Sequence, residues 1–164
     1  MNHKPFLFFA AFSFVLAGMF KPVCGYSQSI PPFQITLSNN KAFNAKDLPK
    51  EKPVIIIYFD PGCEHCQKLM SELFKKIDQF KEAQMVMVTF KPVEELPPFE
   101  KLHNTKKYPN IKVGTEGLGF YLRDYYGLMK MPFVALYDKK GNLSWSTKEQ
   151  PSVDDLAQHL HNLK

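Results

Sequence analysis

Val54-Ile-Ile-Ile-Tyr-Phe59 constrains this chain more than any other stretch. The run is six apolar residues long, β-branched at its first four positions, and bounded by Pro53 and by Asp60-Pro61-Gly62. Such a run suits a central strand buried on both faces; its short length and β-branching disfavour a buried helix. Past Cys63 the period changes. Leu69, Met70, Leu73, Phe74, Ile77 and Phe80 recur at helical spacing, with Lys68, Glu72, Lys75, Lys76 and Lys81 on the other side. Met85-Val-Met-Val-Thr-Phe90 then returns as a second buried strand, its methionines core residues rather than metal ligands. Strand, helix, strand in that order is a βαβ unit, which requires a right-handed crossover and a parallel pair.

The flanking segments extend this unit. Phe33, Ile35 and Leu37 alternate with polar residues, Ser38-Asn39-Asn40-Lys41 turns the chain, and Ala42-Phe43 resumes, which predicts an edge hairpin. Pro97-Pro98 should open a short helix to about Lys107, and Asn110 to Val113 a small strand. Leu118 to Tyr126 reads as a helix ended by Gly127. Met131-Pro132 heads the strand Phe133-Val-Ala-Leu-Tyr137, and a turn at Asp138 to Asn142 leads to a partner strand through Trp145. Ser152 caps a last amphipathic helix, with Asp155 at the capping-box position. With no internal repeat or low-complexity block, one compact α/β domain over residues 33–164 accounts for the chain beyond its first segment.

That first segment has its own logic. Six of the fifteen phenylalanines lie in the first twenty residues, and Phe6 to Phe20 carries no charge. Lys4 precedes this run, Lys21 ends it, and Gly25 and Ser27 supply small residues after it. Basic start, short apolar centre and small residues at the cut are the layout of a secretory signal peptide over residues 1–25. Fifteen residues are short for a spanning helix, which takes about 20; an uncleaved anchor is the alternative. Residues 26–32 read as a tether. Export to a periplasmic or extracytoplasmic space follows, with no stable membrane span expected after cleavage.

Cleavage after Gly25 would remove Lys4 and Lys21 and lower the formal charge from +5 to +3, spread over isolated lysines. Nucleic acid binding would need a clustered basic face, so no nucleic acid partner is expected. The cut would also remove Cys24, leaving Cys63 and Cys66 in a compartment where disulfides persist.

Cys63-Glu64-His65-Cys66 stands at the junction of a buried strand and a helix. Two cysteines separated by two residues at a helix start can close a small disulfide ring. Unpaired N–H groups and the positive end of the macrodipole favour a thiolate at the first of them. His65 adds a donor, and when protonated a positive charge, in the same turn. Cys63 is thus the expected exposed nucleophile, and Cys66, one turn in and more buried, the resolving thiol. Three other uses compete. A structural disulfide here would close too small a loop to contribute much loop entropy. Structural zinc takes four ligands, and His65, His103, His159 and His161 show no second paired spacing. A copper-binding chaperone could use both thiolates and one histidine, since soft ligands select Cu(I). No metal or other cofactor is expected in the first reading.

Tyr58-Phe-Asp-Pro-Gly-Cys-Glu-His-Cys66 on a strand-to-helix turn, followed by Tyr126-Gly-Leu-Met-Lys-Met-Pro-Phe-Val-Ala-Leu-Tyr-Asp-Lys-Lys-Gly141, resembles the thioredoxin superfamily. More narrowly it resembles exported TlpA-like and AhpC/TSA-related thiol-disulfide oxidoreductases, over about residues 33–164. The resemblance implies a thioredoxin-like fold: a central mixed β-sheet flanked by helices, an N-terminal hairpin, and an α/β insertion at residues 91–116 before a cis-proline. It implies that Met131-Pro132 is that cis bond, facing Cys63 and offering backbone groups to an extended substrate. It also implies protein thiol or disulfide substrates and an upstream redox partner.

The chain departs from this pattern at three positions. Gly62 stands where thioredoxin-like sites usually have Trp, and Ile57 stands six residues before Cys63, where thioredoxins place a buried acid. The proton acceptor for Cys66 is therefore unassigned. Asp60 occupies the place of the peroxiredoxin threonine, which disfavours peroxidase chemistry of that type. The direction of electron flow is contested by two signals. Cys-x-His-Cys resembles DsbA-like oxidases and isomerases, whereas the scaffold resembles TlpA-like reductases. The expectation leans to reduction or interchange of protein disulfides, with a DsbA-like or isomerase-like disulfide donor as the alternative.

Overall fold

The structure, a computed structural model, describes residues 28–149 and 151–163. The expected signal peptide and Cys24 lie outside these residues. Gln28 to Ile30, in the segment read as a tether, lies along the Gly141–Leu143 turn: Ile30 N–H donates to the Gly141 carbonyl at 3.1 Å and Leu143 N–H to that of Gln28 at 2.8 Å.

Seven strands form one sheet: β1 (Gln34–Leu37), β2 (Ala42–Asn44), β3 (Val54–Tyr58), β4 (Gln84–Thr89), β5 (Ile111–Thr115), β6 (Phe133–Tyr137) and β7 (Leu143–Thr147). Their order is β2-β1-β5-β4-β3-β6-β7. The β3–β4 and β4–β5 pairs are parallel; β1 and β6 pair antiparallel with β5 and β3. The βαβ unit read from the sequence is therefore present, and its first strand, β3, lies between two neighbours, Ile57 facing Met87 on β4 and Val134 on β6.

Alternation along β3 divides the core in two. Ile55, Ile57 and Phe59 face α1 (Glu64–Lys75), α2 (Leu96–His103) and α4 (Val153–His161), through Cys66, Leu69, Leu73, Leu96, Phe99 and Leu156. Val54, Ile56 and Tyr58 face the opposite layer, where Phe33, Ile35, Leu122, Tyr126 and Phe133 pack. Each fully buried aliphatic side chain contributes about 1.5–3 kcal/mol. A run without polar positions is what a strand covered on both faces needs.

Element ends differ from the sequence reading where local hydrogen bonding takes over. The regular part of α1 stops at Lys75, and Ile77–Phe80 tightens into a 3-10 turn that still buries Ile77 and Phe80. α2 stops at His103 rather than near Lys107, because Asn104 turns into the left-handed region (φ 53°) and its N–H satisfies the last carbonyls. β5 runs to Thr115, beyond Val113, since β4 pairs with it as far as Thr89. α3 (Tyr121–Tyr126) starts after Leu118: Glu116 accepts the N–H of Leu122 at 2.7 Å and the Tyr58 hydroxyl at 2.6 Å, which pins the helix start below it. Ser152 caps α4 as expected, its hydroxyl accepting from Asp155 N–H at 3.4 Å. No helix among the described residues is long and apolar enough to cross a membrane.

Candidate active site

The buried strand β3 delivers the chain to a tight turn at one end of the sheet. Asp60 builds that turn: its Oδ1 accepts Gly62 N–H at 2.8 Å, and its carbonyl accepts Cys63 N–H at 3.0 Å. Gln67 braces it from the helix, its amide donating to the Pro61 carbonyl at 2.9 Å. Cys63 is the residue before the first helical turn of α1, in extended backbone (φ −84°, ψ 125°). Its side chain is half-buried, whereas Cys66 is fully buried. Both are free thiols.

The asymmetry has an electrostatic consequence. Burial pushes the Cys66 thiol up to about 12, a hydrogen bond from the Asp60 backbone opposes this, and the Cys63 thiol and the Asp60 charge add to it. Cys66 is thus protonated at neutral pH unless a base takes its proton.

Met131-Pro132 is a cis peptide. The Met131 carbonyl lies 4.0 Å from the Cys63 sulfur. Met131 is partly buried and packs against both halves of the core, and Pro132 is buried. His65 is exposed and lines a cavity with Met131 and Pro132. The five residues singled out in the sequence, Cys63, His65, Cys66, Met131 and Pro132, therefore meet at one end of the sheet. Among the described residues, no group of three or more His, Cys, Asp or Glu side chains is placed to hold a metal ion.

One polar residue of this site was missed. Asp60 is an ionisable side chain that acts on Cys66, and its Oδ2 lies 3.5 Å from Lys91 Nζ, at the end of β4. Ile57, by contrast, is fully buried among apolar side chains. The signal was available in the Asp-Pro-Gly-Cys sequence, since an Asp two residues before a glycine marks a turn that folds back on its own carboxylate. Lys91 could not be foreseen, because only the β3–β4 register brings it there.

The family model for the thioredoxin-like domain matches residues 41–164. No curated protein matches the sequence. Among solved structures, DsbF of Mycobacterium tuberculosis superposes with a TM-score of 0.66 at 20% identity, covering 81% of this chain and 96% of that one. A secreted M. tuberculosis disulfide oxidoreductase homologous to E. coli DsbE gives 0.66 at 17% identity, covering 80% and 96%. A thiol peroxidase from Chromobacterium violaceum gives 0.69 at 16% identity, covering 83% and 85%. At these identities the likeness is one of fold, shared by disulfide oxidoreductases and peroxidases alike. With the matched domain spanning most of its length and the same mixed sheet beneath its cysteine turn, the chain belongs to the thioredoxin-like family.

Proposed function

We propose that this protein is an exported thiol-disulfide oxidoreductase that reduces or interchanges protein disulfides through Cys63 and Cys66. The observation that carries the reading is the pairing of a half-buried Cys63 at the start of α1 with a fully buried Cys66 one turn on. Export rests on the apolar leader of the sequence.

In the reducing direction, the Cys63 thiolate attacks one sulfur of a substrate disulfide. A Cys63–substrate disulfide forms, and the other substrate sulfur leaves as a thiolate that takes up a proton. Cys66 then loses its proton and attacks the Cys63 sulfur; the Cys63–Cys66 disulfide forms, and the second substrate thiolate leaves. Two electrons pass from the dithiol to the substrate, and an upstream reductant must return them. The Met131 carbonyl and the buried Pro132 form the ledge beside the sulfur where an extended substrate would lie. We assign the acid–base role for Cys66 to Asp60, whose charge acts on that thiol.

The test is Cys66→Ser. The variant should accumulate a Cys63-linked mixed disulfide with a substrate protein, detectable by mass spectrometry, and lose turnover; a variant that turns over normally, or forms no adduct, overturns the reading. Direction is set by the reduction potential. A value near or below about −240 mV means a reductase, and one above about −180 mV means a disulfide donor or isomerase in which the exposed His65 dominates.

A further inference from the structure

Two cavities flank the cysteine turn, and they differ in kind. The first, of about 350 Å³, is walled by Phe59, Met70 and Cys66 on one side and by Phe99 and Leu102 of α2 on the other. Its volume is on the scale of ligand-binding pockets, which start near 300 Å³. The ionisable groups around it are Asp60, Glu95 and His103, with Lys91 paired to Asp60. Of these, His103 is taken up by rings, stacked on Phe74 with centroids 4.6 Å apart. The free charge on this rim is therefore negative. Leu102 stands at the rim with 77% of its surface exposed, although its neighbour Phe99 is buried.

The second cavity, of about 420 Å³, is lined by His65, Lys130, Met131, Pro132, Lys148 and Glu149. Two lysines face one carboxylate there. The cavities share no lining residue, and Cys63 lies in the chain between Gly62 of the first and His65 of the second. An extended segment advances about 3.3 Å per residue. Because successive side chains of such a segment point to opposite faces, a cysteine turned towards Cys63 also turns the residues two positions before and two positions after it towards the protein, one in the direction of each cavity.

From this arrangement we infer that the substrate is an extended protein segment whose reactive cysteine has a large apolar side chain on one side and a carboxylate on the other. The inference rests on the dithiol reading and adds the substrate's polarity to it. The apolar group fills the cavity against Cys66 and Leu102, removing exposed apolar surface on both partners from water. The carboxylate meets Lys130 and Lys148. The opposite placement sets the carboxylate against Glu95, a like-charge contact that penalises the wrong orientation. Because the apolar neighbour must be free to enter the cavity, the segment is one whose own fold does not bury it.

Four short peptides decide the matter, each disulfide-linked to a chromophoric aromatic thiol: Leu-Gly-Cys-Gly-Glu, Glu-Gly-Cys-Gly-Leu, Leu-Gly-Cys-Gly-Leu and Glu-Gly-Cys-Gly-Glu. The reduced full chain should release the chromophore from one of the two mixed peptides with a kcat/KM about tenfold above both symmetric ones. Which mixed peptide wins gives the chain direction across Cys63. Lys130→Glu should abolish the preference for the acidic neighbour, and Leu102→Glu that for the apolar one. Both side chains are exposed, so these variants are expected to fold. Rates within about twofold for all four peptides overturn the inference. Failure of the native chain to react even with a small aromatic disulfide instead overturns the dithiol reading beneath it.

Discussion

The carbonyl oxygen of Met131 stands 4.0 Å from the sulfur of Cys63, across 68 residues of chain. Between them lie α1, β4, α2, β5 and α3, yet β6 returns antiparallel beside β3 and sets its first residues against the end of that strand, Tyr58 opposite Phe133. The site is therefore a product of sheet register. A helix start presents one cysteine, and the head of a neighbouring strand supplies the surface opposite it.

Cys66 should behave as a thiol that does not ionise by itself. In a Cys63→Ser chain, alkylation of Cys66 is expected to be slow at neutral pH. It should speed up about tenfold per pH unit as pH climbs towards about 12, where burial has pushed this group. Rapid labelling of Cys66 at neutral pH would contradict the burial on which the division of labour rests.

One substitution separates the charge of Asp60 from the base role proposed for it. The charge holds the proton on the Cys66 thiol; a base would remove it. Asp60→Asn keeps an oxygen for the Gly62 N–H, so the turn survives. Loss of a base should slow the second thiol release from an aromatic disulfide by about 100-fold while leaving the first unchanged. A faster second release would show that only the charge matters.

Alkaline pH should destabilise the reduced fold. Cys66 and Tyr137 are each raised to about 12, and Tyr126 and Tyr58 are raised as well, all chiefly by burial. Below the unfolded-state values, near 8.5 for cysteine and 10 for tyrosine, both states keep these protons and no pH dependence arises. Above them the unfolded chain releases protons that the folded chain retains, so stability falls as pH rises through about 9 to about 12. Denaturant midpoints measured across that range should decline. Tyr137→Phe should lower the slope and, by leaving the Tyr126 hydroxyl without its 2.6 Å partner, cost about 1–3 kcal/mol at neutral pH.

Gly114 is required by a close approach. A Cβ there would stand 2.7 Å from Ile35 Cδ1, where β1 crosses onto β5. Gly114→Ala should cost about 1–3 kcal/mol in chemical denaturation. Ile35→Val removes the clashing Cδ1 and should recover part of the loss. A fully native midpoint for Gly114→Ala alone would show that β1 can shift without penalty.

Much of this was legible in one dimension. Val54 to Phe59 could be read as a doubly covered strand because apolar side chains without alternation leave no face for water. Cys63 and Cys66 could be read as a pair because three residues span one helical turn. Met131-Pro132 entered through resemblance, and the cis bond was found. The ends of α1, α2 and α3 were less legible: Asn104 in a left-handed conformation and the Glu116 carboxylate under Leu122 are choices made by hydrogen bonding that periodicity does not encode.

The strand–turn–helix with its two cysteines and the apolar layers that cover β3 follow from spacing and polarity along the chain. What faces those cysteines is set by the folded chain alone. Lys91 meets Asp60, Met131 meets Cys63, and Phe99 and Leu102 wall the cavity beside Cys66, because strand pairing and helix packing bring together residues far apart in the chain. Such contacts are fixed by which surfaces bury together, and that information is spread over the whole core.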